Sequence, residues 1–107
     1  ILYDDQATAA KSIRETGKID NLNNSGDRYK EFLKQCLPKS CRLKDFKIAL
    51  DCANGATYSL APKLFSELGA DVYDLQTKPD GKNINDGCGS QHPQYLARKV
   101  KDTDANI

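Results

Sequence analysis

The amino-acid sequence predicts an α/β domain with a mostly parallel sheet and helices on both faces, a three-layer α/β/α arrangement. Residues 46–52, "FKIALDC", alternate as a strand does, and an amphipathic helical pattern follows the turn "ANGAT". Residues 70–77, "ADVYDLQT", form a second strand pattern. Because residues 46–76 have about the length of a βαβ unit, we expect two parallel strands joined by a right-handed crossover.

A first helix is predicted before this unit, at residues 28–37, "RYKEFLKQCL". Asp27 is a suitable N-cap, and Pro38 ends the pattern because it cannot continue a helix. The apolar side chains recur at the spacing of one helix face, and they are Tyr29, Phe32, Leu33, Cys36 and Leu37.

The second helix is predicted to begin near Ser59, with Thr57 or Ser59 as its cap. Pro62 is tolerated within the first turn, where its missing N–H has no partner within the helix, and Gly69 supplies the C-terminal stop. Its apolar stripe consists of Leu60, Ala61, Leu64, Phe65 and Leu68.

A long polar loop, residues 78–93, separates the second strand from a third helix, "PQYLARKVKD". This helix starts at Pro93 and is expected to direct Leu96, Ala97 and Val100 inward. The final residues, "ANI", begin a third strand pattern that the sequence leaves incomplete, so we expect the chain to be a piece of a longer protein.

The composition argues against several functional classes. The 107 residues include 16 Lys and Arg and 15 Asp and Glu, giving a net charge of +1, and both signs are interleaved, which disfavours nucleic-acid binding. No apolar run approaches the ~18 residues of a membrane span, and no export signal is visible. We therefore expect a soluble, cytoplasmic protein without membrane or nucleic-acid partners.

The four cysteines, Cys36, Cys41, Cys52 and Cys88, include no C-x-x-C pair, and His92 is the single histidine. This set does not match a zinc site. We expect Cys52 to be a small apolar residue of a strand and Cys36 to lie on the apolar face of the first helix, with all four thiols reduced.

The candidate site lies where the two strands end, because ligands of open α/β sheets bind beyond the carboxyl ends of the strands. Two interpretations of Asp51, Asn54 and Gly55 remain open. The polar side chains hold the strand-to-helix turn by hydrogen bonds, or the turn and the following helix start contact a phosphate. The fingerprints of dinucleotide sites and P-loops are absent.

Polar residues of the long loop are further candidates. His92 is a possible ligand contact or a hydrogen-bonded anchor ahead of the third helix. Asp80, Asn83 and Asp86 lack the spacing of a calcium loop and are expected to be solvated turn residues.

Three stretches, "GDRYKEFLK", "LKDFKIALDCANGATYSLAPKLFSELGADV" and "PDGKNINDGCGSQHPQYLARKV", resemble in order and spacing the second domain of the α-D-phosphohexomutases. Within that family, "NINDGCGS" followed by "HP" is most similar to the bacterial members that act on glucosamine phosphate. The resemblance covers residues 26–107. It divides the chain into residues 1–25, a weakly structured lead from a preceding domain, and residues 26–107, an incomplete second domain.

The resemblance implies a cytoplasmic, Mg²⁺-dependent enzyme that interconverts glucosamine 6-phosphate and glucosamine 1-phosphate through a phosphoserine, on a route to cell-wall precursors. It places the serine loop, the metal loop and the sugar- and phosphate-binding loops outside this chain. We therefore expect no catalytic residue and no bound metal here, with Asn54, Gly55 and His92 as the candidates for substrate contact and the enzyme's remaining domains as partners.

Three alternatives stay open. The parent enzyme prefers another hexose phosphate, as a phosphomannomutase or phosphoglucomutase does, or the chain is a free-standing module that binds a sugar phosphate. The third is an assembly domain whose open sheet edge pairs with a second copy.

Overall fold

The structure, a computed structural model, describes residues 18–107. The predicted lead, residues 1–25, falls mostly outside this range. Helices and a parallel sheet are both present, which confirms the α/β class. The elements are α1 (Ser25–Gln35), β1 (Lys47–Asp51), α2 (Ala61–Glu67), β2 (Asp71–Leu75) and α3 (Pro93–Thr103), with a 3₁₀ turn at Gly89–Gln91.

The two strands are parallel, as the sequence predicts. They pair in a register that runs from Lys47 opposite Asp71 to Asp51 opposite Leu75, and α2 connects them. Helix α2 packs against β2, and α3 packs against β1. The full three-layer arrangement stays a prediction, because the described sheet has two strands.

The final residues lie along the second edge of β1. The Ala49 amide donates to the Ile107 carbonyl at 2.9 Å, and the Lys47 carbonyl accepts from the amides of Asn106 and Ile107 at 2.9 and 3.3 Å. This is the hydrogen-bond pattern of a parallel pair, at the place where the sequence predicts a third strand, although no regular strand is formed there.

The helix ends differ from the predicted caps. Helix α1 begins after Asn24, which takes a left-handed conformation with φ 64°, and Asp27 lies in the first turn. Neither α1 nor α2 has a side-chain cap, so the predictions for Asp27, Thr57 and Ser59 were wrong.

The carbonyl of Thr57, rather than its hydroxyl, starts α2. It accepts from the amides of Leu60 and Ala61 at 3.1 and 2.9 Å. At the other end Gly69 has φ 102°, which confirms it as the stop.

The buried core is small and centres on β1. Its members are Ile48, Ala49, Cys52, Ala70 and Cys88. Leu96 and Val100 of α3 are half-buried, whereas Ala97 is exposed, so its predicted inward position was wrong.

The predicted apolar face of α1 is largely open to solvent. Tyr29 and Phe32 are 53% and 57% exposed, and Cys36, on the apolar face as predicted, is also exposed. Among residues 18–107, no helix has both the length and the apolar character needed to cross a bilayer.

Candidate functional site

The carboxyl ends of β1 and β2 open into two connections that share one edge of the domain, as expected. We call residues 52–60 the corner and residues 76–92 the long loop. The Asn54 amide donates to the Gln76 carbonyl at 2.7 Å, and the Asn85 amide donates to the Ala53 carbonyl at 2.9 Å. The two connections are therefore joined by backbone hydrogen bonds.

Asp51, the last residue of β1, links the two connections through its carboxylate. Oδ1 accepts from the Ala53 amide and Oδ2 accepts from the Gly89 amide, each at 2.8 Å. The first contact closes a local turn of the corner, and the second reaches 38 positions along the chain. Both oxygens are thus engaged by the protein's own backbone.

Asn54 is the most heavily bonded side chain of the corner and is only 7% exposed. Its Nδ2 donates to Gln76 Oε1 at 3.0 Å and to the Asn83 carbonyl at 3.3 Å. Its Oδ1 accepts from the Lys78 amide at 3.0 Å. Because a buried amide is costly unless its hydrogen bonds are made, these contacts indicate a structural role.

The backbone of the corner is unusual. Ala53 and Asn54 both have left-handed conformations, with φ 50° and 51°. Gly55 follows and donates its amide to the Cys52 carbonyl at 2.8 Å. A Cβ on Gly55 would lie 3.3 Å from that same carbonyl oxygen, so the close approach of the chain favours glycine.

Gly89 fits against the corner from the long loop. It has φ 72°, and a Cβ added there would lie 3.0 Å from the Ala53 Cβ and 3.2 Å from Asn85 Oδ1. The contact with Asp51 therefore depends on a residue without a side chain. Sequence reasoning missed this residue, although its position in the glycine-rich "GCGS" stretch was the available signal.

Asp80 and Asn83 form a reciprocal turn within the long loop. Asp80 Oδ1 accepts from the amides of Lys82 and Asn83 at 2.8 and 2.9 Å, and Asn83 Oδ1 accepts from the Asp80 amide at 3.0 Å. The backbone hydrogen bonds from Lys82 and Asn83 lower the pKa of the Asp80 carboxyl. Asp86 is exposed.

No group of three or more His, Cys, Asp or Glu side chains in residues 18–107 is arranged to hold a metal ion.

His92 joins the 3₁₀ turn to α3 through its backbone. Its amide donates to the Gly89 carbonyl, and its carbonyl accepts from the Tyr95 amide, both at 3.0 Å. Its side chain is half-buried. Whether Asn54, Gly55 or His92 contacts a ligand stays a prediction.

Two thiols lie beneath this edge. Cys52 and Cys88 are 5% and 0% exposed, and burial raises the pKa of each thiol. Both are therefore held as neutral apolar groups.

No family model matches the chain. It is 52% identical over 91 residues to the phosphoglucosamine mutase of Legionella pneumophila (strain Corby), a match that covers 85% of this chain and 20% of that protein. It is 47% identical over 96 residues to the phosphoglucosamine mutases of Polynucleobacter asymbioticus and Thermodesulfovibrio yellowstonii, covering 90% of this chain and 22% and 21% of those proteins. The chain is a homologue of one segment of the phosphoglucosamine mutases and spans about a fifth of their length.

Proposed function

We propose that the chain is a scaffold segment of a cytoplasmic enzyme that interconverts glucosamine 6-phosphate and glucosamine 1-phosphate. The observation that carries this proposal is the identity of 52% over 91 residues with a phosphoglucosamine mutase. In the proposed reaction a phosphoserine outside this chain donates the phosphoryl group and recovers it through a bisphosphorylated sugar. The residues of this chain shape the edge beside the cleft.

The hydrogen bonding of the corner supports a scaffold role. Both carboxylate oxygens of Asp51 accept backbone amides, and the amide group of Asn54 contacts three partners in the long loop. A phosphate would have to displace such bonds before it used these groups. A direct contact is therefore less favourable than a positioning role.

A Mg²⁺ ion in the whole enzyme belongs to the same proposal, and its ligands lie elsewhere. Mg²⁺ prefers oxygen ligands in near-octahedral geometry. In the described part of the chain, Asp51 and Asp80 already accept two backbone amides each, and they do not form part of a cluster of three acidic or metal-binding side chains. These residues do not fit the ion.

The exposed face of α1 supports the proposal that other domains of the enzyme are partners. Tyr29 and Phe32 of α1, and Leu22 ahead of the helix, are each more than half exposed, and the rings of Tyr29 and Phe32 stack with centroids 6.4 Å apart. Exposed apolar surface of this kind commonly marks a contact with another part of a protein. Alone, the same face and the open sheet edge would favour self-association.

A chimera tests the proposal. The matching segment of the Legionella pneumophila enzyme is replaced by this chain, and mutase activity on glucosamine 6-phosphate is measured with Mg²⁺ present. We expect the chimera to retain activity and the isolated chain to have none. An inactive chimera that is nevertheless folded would contradict the proposal.

A variant of the chimera distinguishes a scaffold role of Asn54 from a direct contact with the substrate. Asn54→Ser removes the long-range hydrogen bonds, and we expect less folded enzyme with kcat and KM per folded molecule unchanged. An increase in KM at an unchanged folded fraction would instead assign Asn54 a direct contact with the substrate.

A further inference from the structure

An apolar groove of about 450 Å³ lies between α1 and α2, away from the carboxyl edge of the sheet. Leucines of both helices and Phe65 line it, and two cysteines, Cys36 and Cys41, line it as well. Both cysteines therefore line one shared space.

The two cysteines are five positions apart in the sequence and line the same groove. Cys36 continues the last turn of α1, with its amide donating to the Phe32 and Leu33 carbonyls at 3.2 and 3.1 Å. The chain then reverses in a tight turn, in which the Cys41 amide donates to the Pro38 carbonyl at 2.8 Å. Four residues separate the two cysteines, and this turn reverses the chain between them, so both reach the same groove.

The segment between α1 and β1 is also held near β1. The Leu43 amide donates to the Leu68 carbonyl at 2.9 Å, and this bond attaches the segment to the end of α2. The Arg42 guanidinium donates to the carbonyls of Lys39 and Cys41 at 3.0 and 2.6 Å. A bond between the two cysteines would therefore close a short ring within an already ordered segment.

The four thiols differ sharply in their access to solvent. Cys36 is exposed and Cys41 is half-buried, whereas Cys52 and Cys88 are buried. Burial raises the pKa of Cys52 and of Cys88, which lowers the fraction of each that is reactive thiolate. The chain thus carries an accessible pair of thiols and an inaccessible pair.

We propose that Cys36 and Cys41 form a dithiol site that low-molecular-weight disulfides, such as oxidised glutathione, convert reversibly to an intramolecular disulfide. The Cys36 thiolate, formed by loss of its proton to solvent, attacks one sulfur of glutathione disulfide and releases one glutathione thiolate. The Cys41 thiolate then attacks the Cys36 sulfur of the mixed disulfide and releases the second. The protein dithiol is oxidised by two electrons, and one glutathione disulfide is reduced to two glutathiones.

The test exposes the folded 107-residue chain to glutathione redox buffers of increasing oxidised fraction, followed by acid quenching and peptide mapping by mass spectrometry. We expect a Cys36–Cys41 disulfide as the main product. Cys52 and Cys88 should react at least about tenfold more slowly, because a buried thiol reacts only after local opening. Stable glutathione adducts on both Cys36 and Cys41, or equal reaction of all four cysteines, would overturn the proposal.

Two single variants complete the test. With Cys36→Ser, Cys41 has no resolving partner, and with Cys41→Ser the same holds for Cys36, so each variant should retain one stable glutathione adduct where the unaltered chain retains none. Reduction with excess glutathione should restore the dithiol. Failure of either variant to accumulate its adduct would contradict the proposed exchange, and a circular dichroism spectrum matching that of the unaltered chain shows that the variant is folded.

Discussion

The carboxyl edge of the sheet and the aromatic face of α1 differ in whether their side chains have partners within the chain. At the edge, Asp51 and Asn54 direct their polar atoms to backbone and side-chain partners from two connections. On α1, Tyr29 and Phe32 remain more than half exposed. The edge is complete within this chain, whereas the helix face is left open.

The lysines of α1, unlike its aromatic residues, have partners within the chain. Lys30 is only 8% exposed, and its Nζ lies 2.5 Å from Glu67 Oε1 and 3.4 Å from Asp27 Oδ1. Lys34 also contacts Glu67. One side of α1 is therefore fixed to α2 by charge, and its other side presents aromatic rings to solvent. One short helix therefore both forms ion pairs with a neighbouring helix and exposes aromatic side chains to solvent.

The largest expected effect comes from opening the closed edge at Asn54. We expect Asn54→Ala to lower the free energy of unfolding by about 2–4 kcal/mol, because a buried hydrogen-bonded network is lost and Ala disfavours the left-handed backbone. Urea unfolding of the chain measures this loss. Asn54→Gly removes the same hydrogen bonds without the backbone penalty and should be more stable than the Ala variant by about 1 kcal/mol.

A second change tests the contact between the long loop and the corner. Gly89→Ala should destabilise the chain by about 1–3 kcal/mol, since its Cβ would meet Ala53 and its φ is left-handed. Gly81→Ala is the matched control, because it is also left-handed but has nothing within 4 Å of the added Cβ. If both variants lost equal stability, the contact with Ala53 would have no energetic weight.

The ion pairs of Glu67 with Lys30 and Lys34 make a smaller contribution to the free energy of unfolding, and this contribution depends on pH. Hydrogen bonds from Lys30 and Lys34 lower the pKa of Glu67, so its stabilising effect is fully present above its ordinary pKa and is lost as the pH falls through the lowered value. We expect Glu67→Gln to flatten the acid limb of the stability profile, measured by urea unfolding at several pH values. An unchanged acid limb would contradict a role for this carboxylate.

The same ion pairs predict the opposite trend in base. Hydrogen bonding to Glu67 raises the pKa of both lysines, so their contribution is present below the ordinary lysine pKa and is lost as the pH rises through the raised values.

The smallest effect on stability is expected on the open face. Phe32→Ser should change the free energy of unfolding by less than about 1 kcal/mol, because the ring is 57% exposed. It should nevertheless reduce self-association of the isolated chain, measured by light scattering, since it removes exposed apolar surface. Gln35→Ser on the same helix is the polar control, and an equal effect of both variants would remove the aromatic surface from the explanation.

Elements set by local pattern were predictable from the sequence. The alternation of residues 46–52 predicted β1, and Pro93 and Gly69 marked a helix start and a helix end as the structure has them. The shared edge of the two connections followed from the parallel βαβ order. These features depend on short-range periodicity and backbone preferences, which a single sequence contains.

Features set by distant contacts were not predictable. The bond from Gly89 to Asp51 spans 38 positions, so no local pattern indicates it. The cap of α2 is local, but the Thr57 carbonyl takes the role that the sequence predicts for a side-chain hydroxyl. Cys36 has the periodicity of the apolar face of α1, yet it is exposed in the described chain. An amphipathic pattern shows which face of a helix is apolar, and it cannot show whether a partner lies on that face.

The position of the final residues beside β1 has a consequence for amide exchange. The Ala49 N–H, in the middle of β1, donates to the Ile107 carbonyl at 2.9 Å. Its protection from exchange with deuterium therefore reports on the far end of the chain rather than on the strand pair in which it lies. Slow exchange of the Ala49 amide would show that residues nearly sixty positions apart open together as one cooperative unit.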